Sequence, residues 1–344
     1  MKKHLNTLYV TQDDSLLSKD GETICISRHG TRLLRLPLHN LEAIQTFGWN
    51  IAATPQLLAV CAERGICLSQ CSPQGKLHYR ICGFTPGNVL LRRQQYRLAD
   101  SAEGALSTAR LIVTAKILNA RKLLQRHRRD HSPADSPEEQ ALHRAEQDLA
   151  RAARLSRRAE NSQSLLGIEG AAAESYFGSF GHCLQRSDIS FATRNRRPPR
   201  DPVNALLSFA YSLLAHDCRS ALEAVGLDPA VGLYHRDRPG RPSLALDLME
   251  ELRAPLADRL TLTLLNRRQL NPDDFRRDDN GSISLSDNAR RIVLTHWHER
   301  KNDSILHPYL NERITIGMIP HIQARLLAHH IRGSLDAYPP LIWH

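Results

Sequence analysis

The feature that most constrains this chain is a change of hydrophobic period near residue 88. Before it, apolar residues come in short runs cut by turn residues; after it they recur at helical spacing over long stretches. LNTLYVTQ reads as a strand. LLSK and ETICISR flank Asp20-Gly21, and His29-Gly30 separates ETICISR from TRLLRLPL, which predicts a strand meander. Thr54 as cap, Pro55 at the first helical position and Gly65 as stop predict one helix. ICLSQC and KLHYRICG read as further strands around a Pro73-Gln74-Gly75 turn. The expectation is an α+β protein: a small N-terminal β-rich domain, residues 1–85, that mediates assembly, then a larger all-α domain, residues 86–344.

Past that boundary, 89–125 can be helical throughout, with a break near Ser101 to Gly104. Ser136-Pro137-Glu138-Glu139 opens a second helix running to about Arg158. That helix is highly charged, and we expect an exposed arm without a site. SLLGIEGAAAESYFGSFGHCL (164–184) reads as a core helix, in which Glu169 lies among Gly167, Gly170 and alanines. Small residues allow close backbone approach, and a glutamate there is costly unless it is paired or binds metal; Glu174 is a rival. Asp201 and Pro202 start another helix, closed by Gly226. It contains His216-Asp217, a pair used by HD-type metal phosphohydrolases, but the further ligands of those enzymes are not evident.

The net charge is +10, carried mostly by arginine, which favours a phosphate-rich partner. Residues 1–83 hold nine Lys/Arg against six Asp/Glu, so most of the excess lies in the helical part. Ten Lys/Arg face two acids between Arg92 and Arg129, and RNRRPPRDP (194–202) is a basic, proline-stiffened loop. Arg92, Arg93, Arg97, Arg196, Arg197 and Arg200 are therefore candidates for gripping double-stranded DNA by its backbone. Seven cysteines without a CxxC pair argue for buried thiols in a reducing compartment rather than disulfides or zinc. Without a signal-like start or a ~20-residue apolar run, the expected location is the cytoplasm, with no membrane partner.

One window concentrates the chemistry: GLYHRDRPGRPSLALDLMEEL, 232–252. His235 sits in an irregular segment broken by Pro239, Gly240 and Pro242. Asp247 and Glu250 follow on one helix face, so imidazole and carboxylates can converge on Mn²⁺ or Mg²⁺. A solvated carboxylate face is the ordinary reading of such a helix, and this window alone does not displace it.

LLGIEGAAAESYF (165–177), DPVNALLSFAYSLL (201–214), GLDPAVGLYH (226–235) and SLALDLMEELRAP (243–255) together, in order and spacing, resemble the CRISPR-associated endonuclease and integrase of spacer acquisition, the first-numbered CRISPR-associated protein. The loop before DPVNALL and the ending YPPLIWH look most like the type I-C branch. The resemblance implies that the all-α domain is catalytic, with metal ligands at Glu169, His235 and Glu250, where several members carry aspartate in place of the last. It implies a further important acid at Asp247. It also implies a homodimer, formed through the β-rich domain, that joins the small second-numbered CRISPR-associated protein in a heterohexamer. The implied reaction is attack of a 3′-hydroxyl on a phosphodiester, with an ion polarising the phosphate. Two alternatives stand beside it: a nuclease on branched DNA without integration, and a non-enzymatic basic scaffold. The segment from Asn271 onward carries a hairpin-like DDNGSISL and His296 and His298 around Trp297, read as surface or core.

Overall fold

The computed structural model describes residues 7–81, 83, 89–133, 135–196 and 198–343. The chain divides into two compact units, residues 1–86 with 285–300, and residues 87–284 with 301–344. The sequence reading had kept 285–300 with the second domain; the contacts group it with the first.

In the first unit the strands are β1 (Thr7–Val10), β2 (Ser15–Asp20), β3 (Thr23–Arg28), β4 (Thr31–Pro37), β5 (Ala43–Phe47), β6 (Ala52–Ala53), β7 (Cys67–Cys71) and β8 (Leu77–Ile81). Helix α1 (Pro55–Arg64) lies between β6 and β7. They form two four-stranded sheets, ordered β1-β5-β7-β8 and β4-β3-β2-β6. The meander β2-β3-β4 is present. Its first turn is Gly21-Glu22, one residue beyond the expected pair, because Asp20 pairs with Thr23. His29 and Gly30 both take positive φ, the geometry of a tight primed turn. Thr54 Oγ1 accepts from Leu57 N and Gly65 closes α1 at φ +69°. Leu17, Ile24, Ile44, Leu57, Cys61 and Leu68 belong to the buried core of this unit.

The second unit is helical: α2 (Val89–Asp100), α3 (Ala102–His131), α4 (Pro137–Ser156), α5 (Ser162–Phe180), α6 (Pro202–Ala224), α7 (Ser243–Glu250) and α8 (Arg259–Asn266). A π-helical turn, Arg253–Asp258, joins α7 to α8. Then come β9 (Phe275–Arg277) and β10 (Ile283–Leu285), next α9 (Asp287–Asn302), which falls almost wholly in the first unit, and after it β11 (Ser304–Leu306), β12 (Arg313–Thr315) and α10 (Ile319–Ile331). The two short ribbons β9/β10 and β11/β12 are the exceptions to an all-α unit. The expected break falls at Ser101, whose Oγ accepts from Gly104 N at 3.1 Å and caps α3.

Two expectations are corrected. Helix α4 is not an exposed arm: Leu142, Ala145, Leu149 and Ala153 are buried, and α4 packs on α3 and α5. Its Glu139 and Glu146 hold Arg128 of α3 at 2.6 and 2.7 Å, so its charges tie helices together. The small residues of α5 do not serve close packing at 167, 170 and 178; a Cβ there would meet nothing within 4 Å. Leu166 is likewise exposed, while Leu165, Tyr176 and Phe180 carry the buried face. Among the described residues no helix is long and apolar enough to cross a membrane.

Candidate functional site

The site begins with α7, which follows the Pro239-Gly240-Pro242 loop and buries both of its acids. Asp247 is turned toward the loop. Its Oδ2 accepts from Leu233 N (2.6 Å) and Tyr234 N (3.0 Å), and its Oδ1 from His235 N (2.9 Å). Oδ1 also pairs with His235 Nδ1 at 2.6 Å. Four donors on two oxygens use the carboxylate fully, so it anchors the loop instead of facing an open space. Gly232 is what lets the loop close: a Cβ there would run into His235 O and stand 2.7 Å from Ser243 Cβ.

A carboxylate only accepts, so the His235–Asp247 bond places the imidazole proton on Nδ1. The Nε2 lone pair is left to face inward, 3.7 Å from Glu250 Oε1. This is the carboxylate–histidine arrangement that presents a ring nitrogen to a metal. Glu250 reaches two cations: Arg253 NH2 lies 2.9 Å from Oε1 and Lys116 Nζ 2.7 Å from Oε2. The Lys116 contact is ionic, without an aligned hydrogen bond to Oε2. Burial raises the proton affinity of Glu250, but Arg253 and Lys116 outweigh it and bring the carboxyl down to about 2. Glu169 arrives from α5, and its Oε1 takes the other side of the Lys116 ammonium. Tyr234 donates from its hydroxyl to Glu169 Oε2 at 3.4 Å.

Glu169, His235 and Glu250 are therefore neighbours, drawn from segments 66 and 15 residues apart. Two carboxylates and an imidazole nitrogen are a donor set suited to Mn²⁺ or Mg²⁺. Among the described residues, however, no three His, Cys, Asp or Glu side chains stand close enough together to enclose an ion. The reason is visible: Lys116 holds the space between the two glutamates. Lys116, Glu169, Arg196, Glu250 and Arg253 line one cavity of about 30 Å³, the volume of one water.

Supporting groups surround this centre. Asp258 of the π turn accepts from Tyr176 (2.8 Å) and Tyr211 (2.6 Å) hydroxyls. Arg253 and Arg194 both lie over the Tyr211 ring, 4.9 and 5.3 Å from its centroid. The C-terminal segment, unread at the sequence level, braces the turn after Glu250. Tyr338 Oη and Leu341 N donate to Glu251, and Asn119 Nδ2 donates to the carbonyls of Glu251 and Leu341.

Sequence reasoning missed Lys116, Arg253, Tyr234 and Asp258. A lone lysine inside LIVTAKIL and an arginine three residues after Glu250 were signals available for the first two. Of the arginines expected to grip DNA, Arg93, Arg97, Arg196 and Arg200 are exposed. Arg92 instead donates to Gly226 O at 3.2 Å, and Arg197 lies outside the described residues. Glu174 is exposed and apart from the centre. His216 is buried, and Asp217 pairs with Lys301 at 2.8 Å, a structural arrangement. The six described cysteines are buried and form no disulfide; Cys82 lies outside the described residues. A second basic feature was not singled out: a cleft of about 800 Å³ lined by Lys122, Arg126, Arg129, Arg259 and Arg267 with one acid, Asp130.

This architecture places the chain in a known structural class. It superposes on a casposase bound to integration product with TM-score 0.84 at 21% identity, over 96% of this chain and 92% of that one. It superposes on part of a Cas6-RT-Cas1–Cas2 complex with TM-score 0.83 at 24% identity, over all of this chain and 36% of that one. Residues 8–299 match the family model of the CRISPR associated protein Cas1. The chain is also 48% identical over 349 residues to a CRISPR-associated endonuclease Cas1 of Rhodospirillum rubrum, along the full length of both. The chain belongs to the Cas1 family.

Proposed function

We propose that this chain is a metal-dependent DNA endonuclease and integrase that inserts foreign DNA fragments into a CRISPR array. The observation that carries the reading is the convergence of Glu169, Glu250 and the Nε2 of His235, next to Lys116, Arg253 and exposed Arg196. The name of the Rhodospirillum rubrum relative, an endonuclease, supports it.

In the reaction, the fragment's 3′-oxygen forms a bond to phosphorus while the repeat's P–O bond breaks, and the leaving oxygen takes up a proton. A divalent ion held by Glu169, Glu250 and His235 would polarise the phosphoryl oxygen and stabilise the leaving one. Asp247 keeps the Nδ1 proton in place, so Nε2 stays a lone-pair donor. Arg253 keeps Glu250 ionised, and Arg196, at the edge of the same cavity, would meet a DNA phosphate. No covalent enzyme intermediate is needed. The buried tyrosines near the centre are poor nucleophiles, since burial and Asp258 push both Tyr176 and Tyr211 well above the usual phenol range.

The reading extends to double-stranded DNA as substrate, a second copy of the chain, and the small Cas2 protein as partners, in the cytoplasm of a cell with a type I-C system. The test is a labelled fragment with a 3′-hydroxyl, a supercoiled repeat-bearing plasmid and Mn²⁺. Wild type joins the two, whereas His235→Ala retains its fold and DNA binding and loses joining. Cleavage without joining in the wild type would favour a branched-DNA nuclease, and full joining by His235→Ala would overturn the site.

A further inference from the structure

Lys116 is the unexpected member of the site. It lies in the middle of α3, between buried Ala115 and Ile117, and its side chain is only 17% exposed. A buried ammonium is costly unless opposite charges surround it. Here it bridges Glu169 Oε1 and Glu250 Oε2, carboxylates from α5 and α7. Arg253 also pairs with Glu250, and Arg196 and the buried Asp258 line the same cavity. A divalent ion brought into this gap beside the Lys116 ammonium would meet like-charge repulsion in a poorly solvated space, which is unfavourable.

We propose that the Lys116 ammonium and a divalent ion are alternative occupants of the gap between Glu169 and Glu250. The inference rests on the metal-binding reading above. In the ion-free protein, Lys116 holds the two glutamates at the separation they need and prevents their mutual repulsion. Ion binding releases the ammonium on its four-carbon stem, and the freed charge is then available to a DNA phosphate beside Arg196. Lys116 thus acts as a positioning residue before the reaction and lowers the affinity for free metal. This couples ion loading to the arrival of DNA, because a phosphate rewards the displaced lysine with a new partner.

The test is Mn²⁺ binding without DNA, by calorimetry and by the paramagnetic resonance of free Mn²⁺, on wild type, Lys116→Met and Glu250→Gln. Lys116→Met is expected to bind Mn²⁺ at least about tenfold tighter than wild type, a difference of about 1.4 kcal/mol. A purely structural lysine would give the opposite, weaker binding from a disturbed site. Unchanged or weaker binding by Lys116→Met, with binding abolished in Glu250→Gln, overturns the exchange while leaving the metal site standing. Undiminished Mn²⁺ binding by Glu250→Gln overturns the metal site itself. A measurement on the wild type alone covers the case in which Lys116→Met does not fold. Acylation of Lys116 by an amine-reactive ester, read by peptide mass spectrometry, should rise several-fold when Mn²⁺ is added. Equal or lower labelling with Mn²⁺ overturns the proposal.

Discussion

Replacing Asp247 by asparagine tests how the site is held. The amide has the same shape, but one oxygen becomes an NH₂ group. If the amide oxygen stays at Oδ2, it keeps Leu233 N and Tyr234 N, and the NH₂ faces two donors of His235. The imidazole then lowers its energy by moving its proton to Nε2, which removes the lone pair needed for metal. If the oxygen takes the Oδ1 place, the imidazole is kept and two backbone N–H groups are orphaned. Hydrogen bonds to a charged acceptor contribute about 1.5–3 kcal/mol each, and at least one is lost outright with the others weakened. The expected cost is about 3 kcal/mol. In a unit of this size that lowers the melting temperature by roughly 6–12 °C, since about 2–4 °C accompanies each kcal/mol. Mn²⁺ affinity should fall about 10- to 100-fold, as for other outer partners of a metal-binding histidine. Calorimetric melting without metal and Mn²⁺ titration check both. A melt within about 1 °C of wild type together with unchanged Mn²⁺ affinity would show that this carboxylate does not hold the loop and ring.

Two other perturbations reach beyond the centre. The basic cleft is lined by Arg259 and Arg126, and Arg126 shares Asp130 with Arg129. If DNA phosphates lie there, Arg126→Gln with Arg259→Gln should weaken binding of any DNA sequence. It should also flatten the plot of log affinity against log salt by about one unit per lost contact; an unchanged slope would place the DNA elsewhere. His127 is partly buried, lies against His131 with ring centroids 4.9 Å apart and the rings tilted by 50°, and is pushed down to about 4 by burial and then by His131. A depressed histidine is charged more readily in the unfolded chain, so its stability contribution is complete above about pH 6.5 and lost as pH falls toward 4. After discounting for partial exposure the loss is on the order of 2 kcal/mol. Urea melts at pH 7 and pH 4.5 should show it, and His127→Gln should reduce the difference; an equal pH dependence in both proteins would assign it to other groups.

Local signals were legible wherever they act through neighbouring residues. Thr54, Ser136 and Asp201 cap the helices they were expected to cap, and Pro55, Pro137 and Pro202 occupy first-turn positions. These need only the backbone groups within a few residues. The charged pattern of α4 misled because Glu139 and Glu146 are satisfied by Arg128 of another helix, a contact that periodicity does not encode. The two-sheet order of the first unit was equally hidden, since β1, β5 and β7 pair in parallel across long separations.

The sequence by itself determined where strands yield to helices, the capping residues that start α1, α4 and α6, and that His235, Asp247 and Glu250 lie close along the chain. Only the tertiary structure decided their roles. Asp247 turns away to bind the loop because three backbone N–H groups there need an acceptor. Lys116 enters because α3 passes between α5 and α7 and a buried ammonium must find carboxylates. Lys116 and Glu250 are 134 residues apart, and no local rule brings them together; packing does, and charge balance then fixes which atoms meet.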